Sequence, residues 1–190
     1  MKWYPILLIA AVAVFLIQAT MYISNYYFDR AVSTYVENDN LQTFTDLVAT
    51  SRRYNPFDLK HSLIEAQIYL EENKPQFALA ILRRAEYIAP YNRQTQLLIG
   101  QVSTALNKDE QAEKAFRRAI ILGPAQDMET YVELVALLKQ SDKLEEARSV
   151  AKQGLTYFTE QILNSSLWLN RNKDEVKFHH LLLTTFLQNS

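Results

Sequence analysis

The chain has 190 residues, is 48% apolar, carries only three glycines and has a formal charge of −1. That composition suits one modest folded domain with an appendage and argues against disorder. The near-zero charge removes the electrostatic case for nucleic acid, which needs a basic surface. Cysteine is absent, so structural disulfides and lipidated cysteines are excluded while either redox compartment is allowed.

The first predicted element is an apolar helix. From Ile6 to Ile17 every residue is apolar, and the run continues past Gln18 and Thr20 to Ile23. Eighteen helical residues span about 27 Å, close to the ~30 Å hydrocarbon core of a bilayer. Trp3 and Tyr4 before the run, with Tyr22, Tyr26 and Tyr27 at its far side, are placed like interfacial aromatic belts. Pro5 stands where a first-turn proline costs little. An uncleaved anchor over residues 1–28, inserting through residues 5–23, is the favoured reading. A cleaved signal peptide would have to cut at Ala19, where Ile17 and Gln18 make a poor small-x-small site. A buried soluble helix conflicts with the lack of charge from Pro5 to Phe28. Lys2 and the amino terminus before the span favour an inside N-terminus, and thus a single-pass inner-membrane protein with its remainder in the periplasm or outside.

Beyond the anchor the chain is periodic. Pro56, Pro90 and Pro124 are spaced by 34 residues, and residues 59–92 superimpose on 93–126 with the same shift. Ala66 falls on Gly100, Ala78 on Ala112, Leu82 on Phe116 and Ala85 on Ala119. "QFALAILRRAEYIAP" and "EQAEKAFRRAIILGP" share the pattern A-x-x-x-[LF]-R-R-A-x-x-[IL]-x-P. Each unit reads as two short amphipathic helices, with small residues permitting close approach and large ones filling the space around them. Asn73 and Asn107 occupy the connecting turns, where asparagine tolerates a left-handed conformation. Proline then ends the second helix.

These residues resemble the tetratricopeptide repeat family, whose 34-residue helix–turn–helix unit has this pattern. Residues 59–126 match the pattern well. A third unit at about 128–160 carries a one-residue insertion and places Tyr131, Leu134, Leu138, Ala147 and Ala151 at repeat positions, with Gly154 for the late alanine. Residues 29–58 read as a degenerate N-terminal unit that keeps Tyr35 and Pro56 but has Phe44 and Ser51 where small alanines are expected. The predicted fold is all-α: a transmembrane helix, linking helices over 29–58, a tetratricopeptide α-solenoid over 59–160, and C-terminal capping helices over 161–190. Trp168, Leu169, Phe178, Leu182 and Phe186 would cover the last unit's apolar face.

Catalysis has no support in the sequence, and no cofactor or metal is expected. His179 and His180 are adjacent, so their rings point about 100° apart on a helix and cannot easily share a metal. His61 reads as a surface residue near a helix start. Glu71–Glu72 and Glu145–Glu146 read as solvated faces. Phosphate loops, nucleophile elbows and zinc-protease motifs are absent. "NSS" at 164–166 fits the N-glycosylation rule, a pattern short enough to recur by chance.

The resemblance instead implies a concave groove lined by the first helix of each repeat. Carried across, the groove positions are Lys60, Leu63, Gln67, Gln94, Leu97, Gln101, Val132 and Ala136. Some family members grip a terminal carboxylate with a Lys/Asn clamp. The matching positions here hold Leu63, Gln67, Leu97 and Gln101, so an apolar, amide-edged groove is expected instead. The implied function is a non-enzymatic, membrane-anchored adaptor binding protein partners in an envelope-associated assembly of the biogenesis, secretion or pilus type. The alternative is an accessory subunit that stabilises a membrane enzyme, as in glycan polymerisation or cofactor maturation.

Overall fold

The structure is a computed structural model that describes residues 3–158 and 173–189; the expectations for Trp168, Leu169 and the 164–166 motif lie outside them. All regular structure among the described residues is helical. The chain divides into two compact units, residues 1–61 and 62–190.

The first unit is a helical hairpin. Helix α1 (Tyr4–Asn38) runs unbroken through the apolar segment and well past it, and α2 (Leu41–Tyr54) returns along its second half. Residue 28, the expected end of the anchor, therefore lies inside one continuous helix. From Ile6 to Ile17 no described side chain packs against the protein, and α1 is the one described helix long and apolar enough to cross a membrane. Beyond Ile23 the pattern changes. Ser24, Phe28, Ala31 and Tyr35 recur every three to four residues and face Phe44, Val48 and Ser51 of α2. Phe44 is wholly buried against Tyr35 (ring centroids 5.7 Å apart), so the residue that breaks the small-alanine pattern is core. The turn uses Asp39 in a left-handed conformation (φ 51°), and the Asn40 side chain caps α2 by accepting from the Thr43 N–H at 3.0 Å.

The boundary between the units falls in the first turn of α3 (Leu59–Glu71). The second unit stacks helix pairs: α3 with α4 (Pro75–Ile88), α5 (Arg93–Ala105) with α6 (Asp109–Leu122), and α7 (Glu129–Gln140) with α8 (Leu144–Tyr157). Each pair turns through one left-handed residue: Asn73 (φ 54°), Asn107 (φ 53°) and Asp142 (φ 58°). The N–H of the next residue, a lysine each time, reaches back across it, Lys74 to Tyr69, Lys108 to Ser103 and Lys143 to Leu138, at 2.8–2.9 Å. This is the Schellman closure, which satisfies carbonyls that the helix end leaves open.

Asn92 and Asp127 cap the next first helices through Thr95 and Thr130. The caps lie 35 residues apart rather than 34, which locates the extra residue in the 123–128 connection. Ala78, Ala85, Ala112, Ala119 and Ala147 are fully buried, with Leu82 and Phe116 between the helices they separate. Helix α9 (Lys173–Asn189) packs on α7 and α8 through Leu183, Phe186 and Leu187, whereas Phe178 stays exposed.

Candidate partner-binding groove

The first helices α3, α5 and α7 of the second unit enclose a concavity of about 520 Å³. Four predicted positions meet in it: Gln67 from α3, and Gln94, Leu97 and Gln101 from α5. The 34-residue repeat accounts for this, because Gln67 and Gln101 are equivalent positions on successive first helices.

The other four do not line it. Leu63 is half-buried against the α3–α5 core, and Lys60 is exposed on the first turn of α3 and belongs to the other unit. Val132 and Ala136 open onto a separate apolar cavity of about 590 Å³, shared with Leu182, Leu183 and Phe186 of α9. Helix α9 supplies the facing wall of that cavity.

The sequence predicts an apolar groove with an amide edge; glutamines do line it, but the apolar part is smaller than expected and carboxylates are added. Leu97 is only 2% exposed and belongs to the core, so it forms floor rather than contact surface. The walls are amides and carboxylates: Glu71, Glu129 and Glu133 join the three glutamines, and no lysine or arginine is among the lining residues. Gln67 donates to Glu71 at 3.3 Å and Gln101 to Glu129 at 2.9 Å. Burial, reinforced by the Glu129 charge, pushes the Glu133 carboxyl above its usual pKa; the Gln101 hydrogen bond and His179 act the other way. The sequence signal for these acids was their spacing. Glu129 and Glu133 lie one turn apart and so share a helix face, as do Gln67 and Glu71.

Carboxylates on the second helices are treated differently. Glu86 pairs with Arg83 at 3.0 Å and with Arg118 at 3.3 Å. Glu113 pairs with Arg117 at 2.8 Å and Lys143 at 2.7 Å, and Arg117 continues to Glu146 at 2.5 Å. Because R-R repeats every 34 residues, Arg117 and Arg118 connect one repeat to the next. The Lys143 hydrogen bond lowers the Glu113 pKa against the cost of burial, and Arg117 adds to it. No such cation meets the groove carboxylates among the described residues.

Protein-family comparison finds no family that matches the chain, and no curated protein matches it. Solved structures do. MamA residues 41 to the end from Desulfovibrio magneticus superimpose with a TM-score of 0.65 at 15% identity, covering 75% of this chain and 78% of that one. The Arabidopsis OM64 TPR domain gives 0.58 at 21%, covering 64% and 98%. The Yersinia enterocolitica type III secretion translocator chaperone SycD gives 0.56 at 14%, covering 69% and 92%.

The fold is tetratricopeptide-like.

Within this tetratricopeptide-like fold, one polar cluster imitates a catalytic set. In the first unit Ser51, His61 and Asp58 meet, and His61 is buried rather than on the surface as the sequence suggested. The ring stacks on Phe28 with centroids 3.9 Å apart. Burial lowers the His61 pKa, with Asp58 opposing. Ser51 donates to the Ser24 carbonyl at 2.9 Å, is 1% exposed and lies 3.4 Å from His61 Nδ1. A nucleophile needs access and a base that receives its proton. This hydroxyl has neither, so the cluster ties α1, α2 and the start of α3 together instead.

Proposed function

We propose that this chain is a membrane-anchored scaffold in which α1 holds the protein in a bilayer and the α3–α5–α7 groove receives an extended segment of a partner protein. The groove's wall carries the reading: glutamine amides that can both donate and accept stand beside carboxylates that meet no lysine or arginine among the described residues. An extended backbone presents alternating N–H and C=O groups to such amides. Lysine or arginine side chains of the partner would supply a positive charge to that wall, and one placed beside Glu133 would oppose the burial that raises its pKa. Anchoring confines the groove near the membrane and raises its effective concentration towards membrane partners. The reading places the repeats on the outer side of an inner membrane, in an envelope-associated assembly.

A photo-crosslinking residue at Gln94, in the groove, is expected to give discrete adducts in cells, and one at Glu110, on the outer helix layer, is not. Glu133→Lys should diminish the Gln94 adducts in a protein that still folds. Equal adducts at both positions, or adducts unaffected by Glu133→Lys, would overturn the groove assignment. Topology is read separately, since the chain has no cysteine. A Gln111→Cys variant should react with an impermeant maleimide once the outer barrier alone is opened. Reaction only after the inner membrane is breached reverses the orientation.

A further inference from the structure

We infer that the corner between α2 and α3 is a second membrane contact, resting on the lipid interface beside the anchor. This rests on the reading of α1 as a membrane span. Because α1 continues unbroken from the apolar segment into the hairpin, positions along it measure height above the bilayer at about 1.5 Å per residue. Ile23 ends the apolar run. Helix α2 returns to that level: Ser51 bonds the Ser24 carbonyl, and Tyr54 stacks on Tyr27 with centroids 6.1 Å apart. The last turn of α2 is thus within about 5 Å of the end of the apolar run.

The chain then turns through residues 55–58. His61 is already back beside Phe28, so the turn is held on the membrane side of the hairpin. This low point presents Phe57, 69% exposed, next to Tyr54 at 40%. On α1, Tyr22 and Tyr26 are 75% and 53% exposed at the same height. Aromatic rings from two helices and a turn are therefore gathered at one level, where the amphipathic tyrosines favour the headgroup region and Phe57 adds apolar surface that can insert at the acyl boundary. Arg53 and Lys60 flank the corner, exposed, as suits anionic headgroups. Of the two nearby acids, Asp58 is turned to the chain itself, accepting from the His61 N–H at 3.0 Å and from the Asn55 amide at 3.2 Å, while exposed Asp29 is followed by the equally exposed Arg30.

The absence of cysteine allows a clean test in the full chain. Single variants Phe57→Cys, Val36→Cys and Leu16→Cys are labelled with an environment-sensitive fluorophore and reconstituted in phosphatidylcholine–phosphatidylglycerol vesicles containing nitroxide lipids. The label at 57 is expected to show blue-shifted emission and to be quenched more by headgroup-level than by deep nitroxides. The label at 36, about 20 Å up α1, should be unquenched, and that at 16 should be quenched by deep nitroxides. An unquenched label at 16 overturns the anchor reading and the inference with it. A quenched label at 16, with 57 as free as 36, overturns the inference alone.

Discussion

The ring of Phe116 occupies the space that a side chain at Gly100 would need. A β-carbon on Gly100 would lie 2.4 Å from Phe116 Cε1 and 2.5 Å from Cδ1. Phe116 is fully buried between α5 and its neighbours, so it cannot swing aside as an exposed side chain could. Gly100 therefore sets how closely α5 and α6 approach.

Gly100→Ala is expected to lower the stability of the full chain by about 1–3 kcal/mol through overpacking. Thermal unfolding followed by circular dichroism measures it. Adding Phe116→Leu should recover part of the loss, since it vacates the contested space. A Gly100→Ala protein as stable as the parent would mean that α5 and α6 can separate without cost.

Asn73, Asn107 and Asp142 share one backbone state at the same point of each repeat. A β-branched residue resists that state, glycine adopts it freely, and asparagine falls between. Asn107→Val should cost about 1–2 kcal/mol, and Asn107→Gly should be close to neutral. Equal losses for both variants would show that the side chain, not the backbone conformation, matters there. Denaturant midpoints distinguish the two.

His61 makes the first unit sensitive to mild acid. Burial lowers its pKa in the folded chain below the unfolded value of about 6.5. Between those values the unfolded chain binds the proton and the folded one does not, so stability falls as pH drops through 6.5 and levels off below the folded pKa. Melting temperature measured from pH 7.5 to 5 should decline in the parent and decline less in His61→Gln.

Glu113 acts in a lower window. Its folded pKa lies below the ordinary value of 4.5, so its contribution is present above that value and is lost as pH falls through the folded pKa. Its partners are partly exposed, and exposed pairs contribute little. Glu113→Gln is therefore expected to lower the melting temperature at pH 7 by less than Gly100→Ala does, and to remove part of the decline below pH 4.5. Added salt should shrink the same difference.

Local rules made most of the fold legible in the sequence. The 34-residue recurrence of Ala78/Ala112, Leu82/Phe116 and Pro90/Pro124 specifies paired helices, because small and large residues at fixed helical offsets have one good way to pack. The apolar run from Ile6 to Ile23 is likewise a matter of length and composition. A further beat is hidden in the sequence: Asp39 stands 34 residues before Asn73 and has the same left-handed backbone conformation. Phe44 and Ser51 conceal it, since they replace the signature alanines with a larger ring and a polar group that only their partners Tyr35 and Ser24 make acceptable.

Tertiary structure decided what depends on neighbours distant in sequence. Family spacing could nominate Leu97 and Val132 for one groove, but burial depends on what packs opposite. Leu97 joins the core, and Val132 meets α9, whose position no repeat encodes. The groove carboxylates Glu71, Glu129 and Glu133 look like the solvated glutamates of any helix until three helices bring them together. His61 became a buried histidine only when Phe28 and Ser51, from two other helices, closed over it. Periodicity specifies which face of each helix turns inward; the charge and shape of the surface left outside arise from helices meeting across the chain.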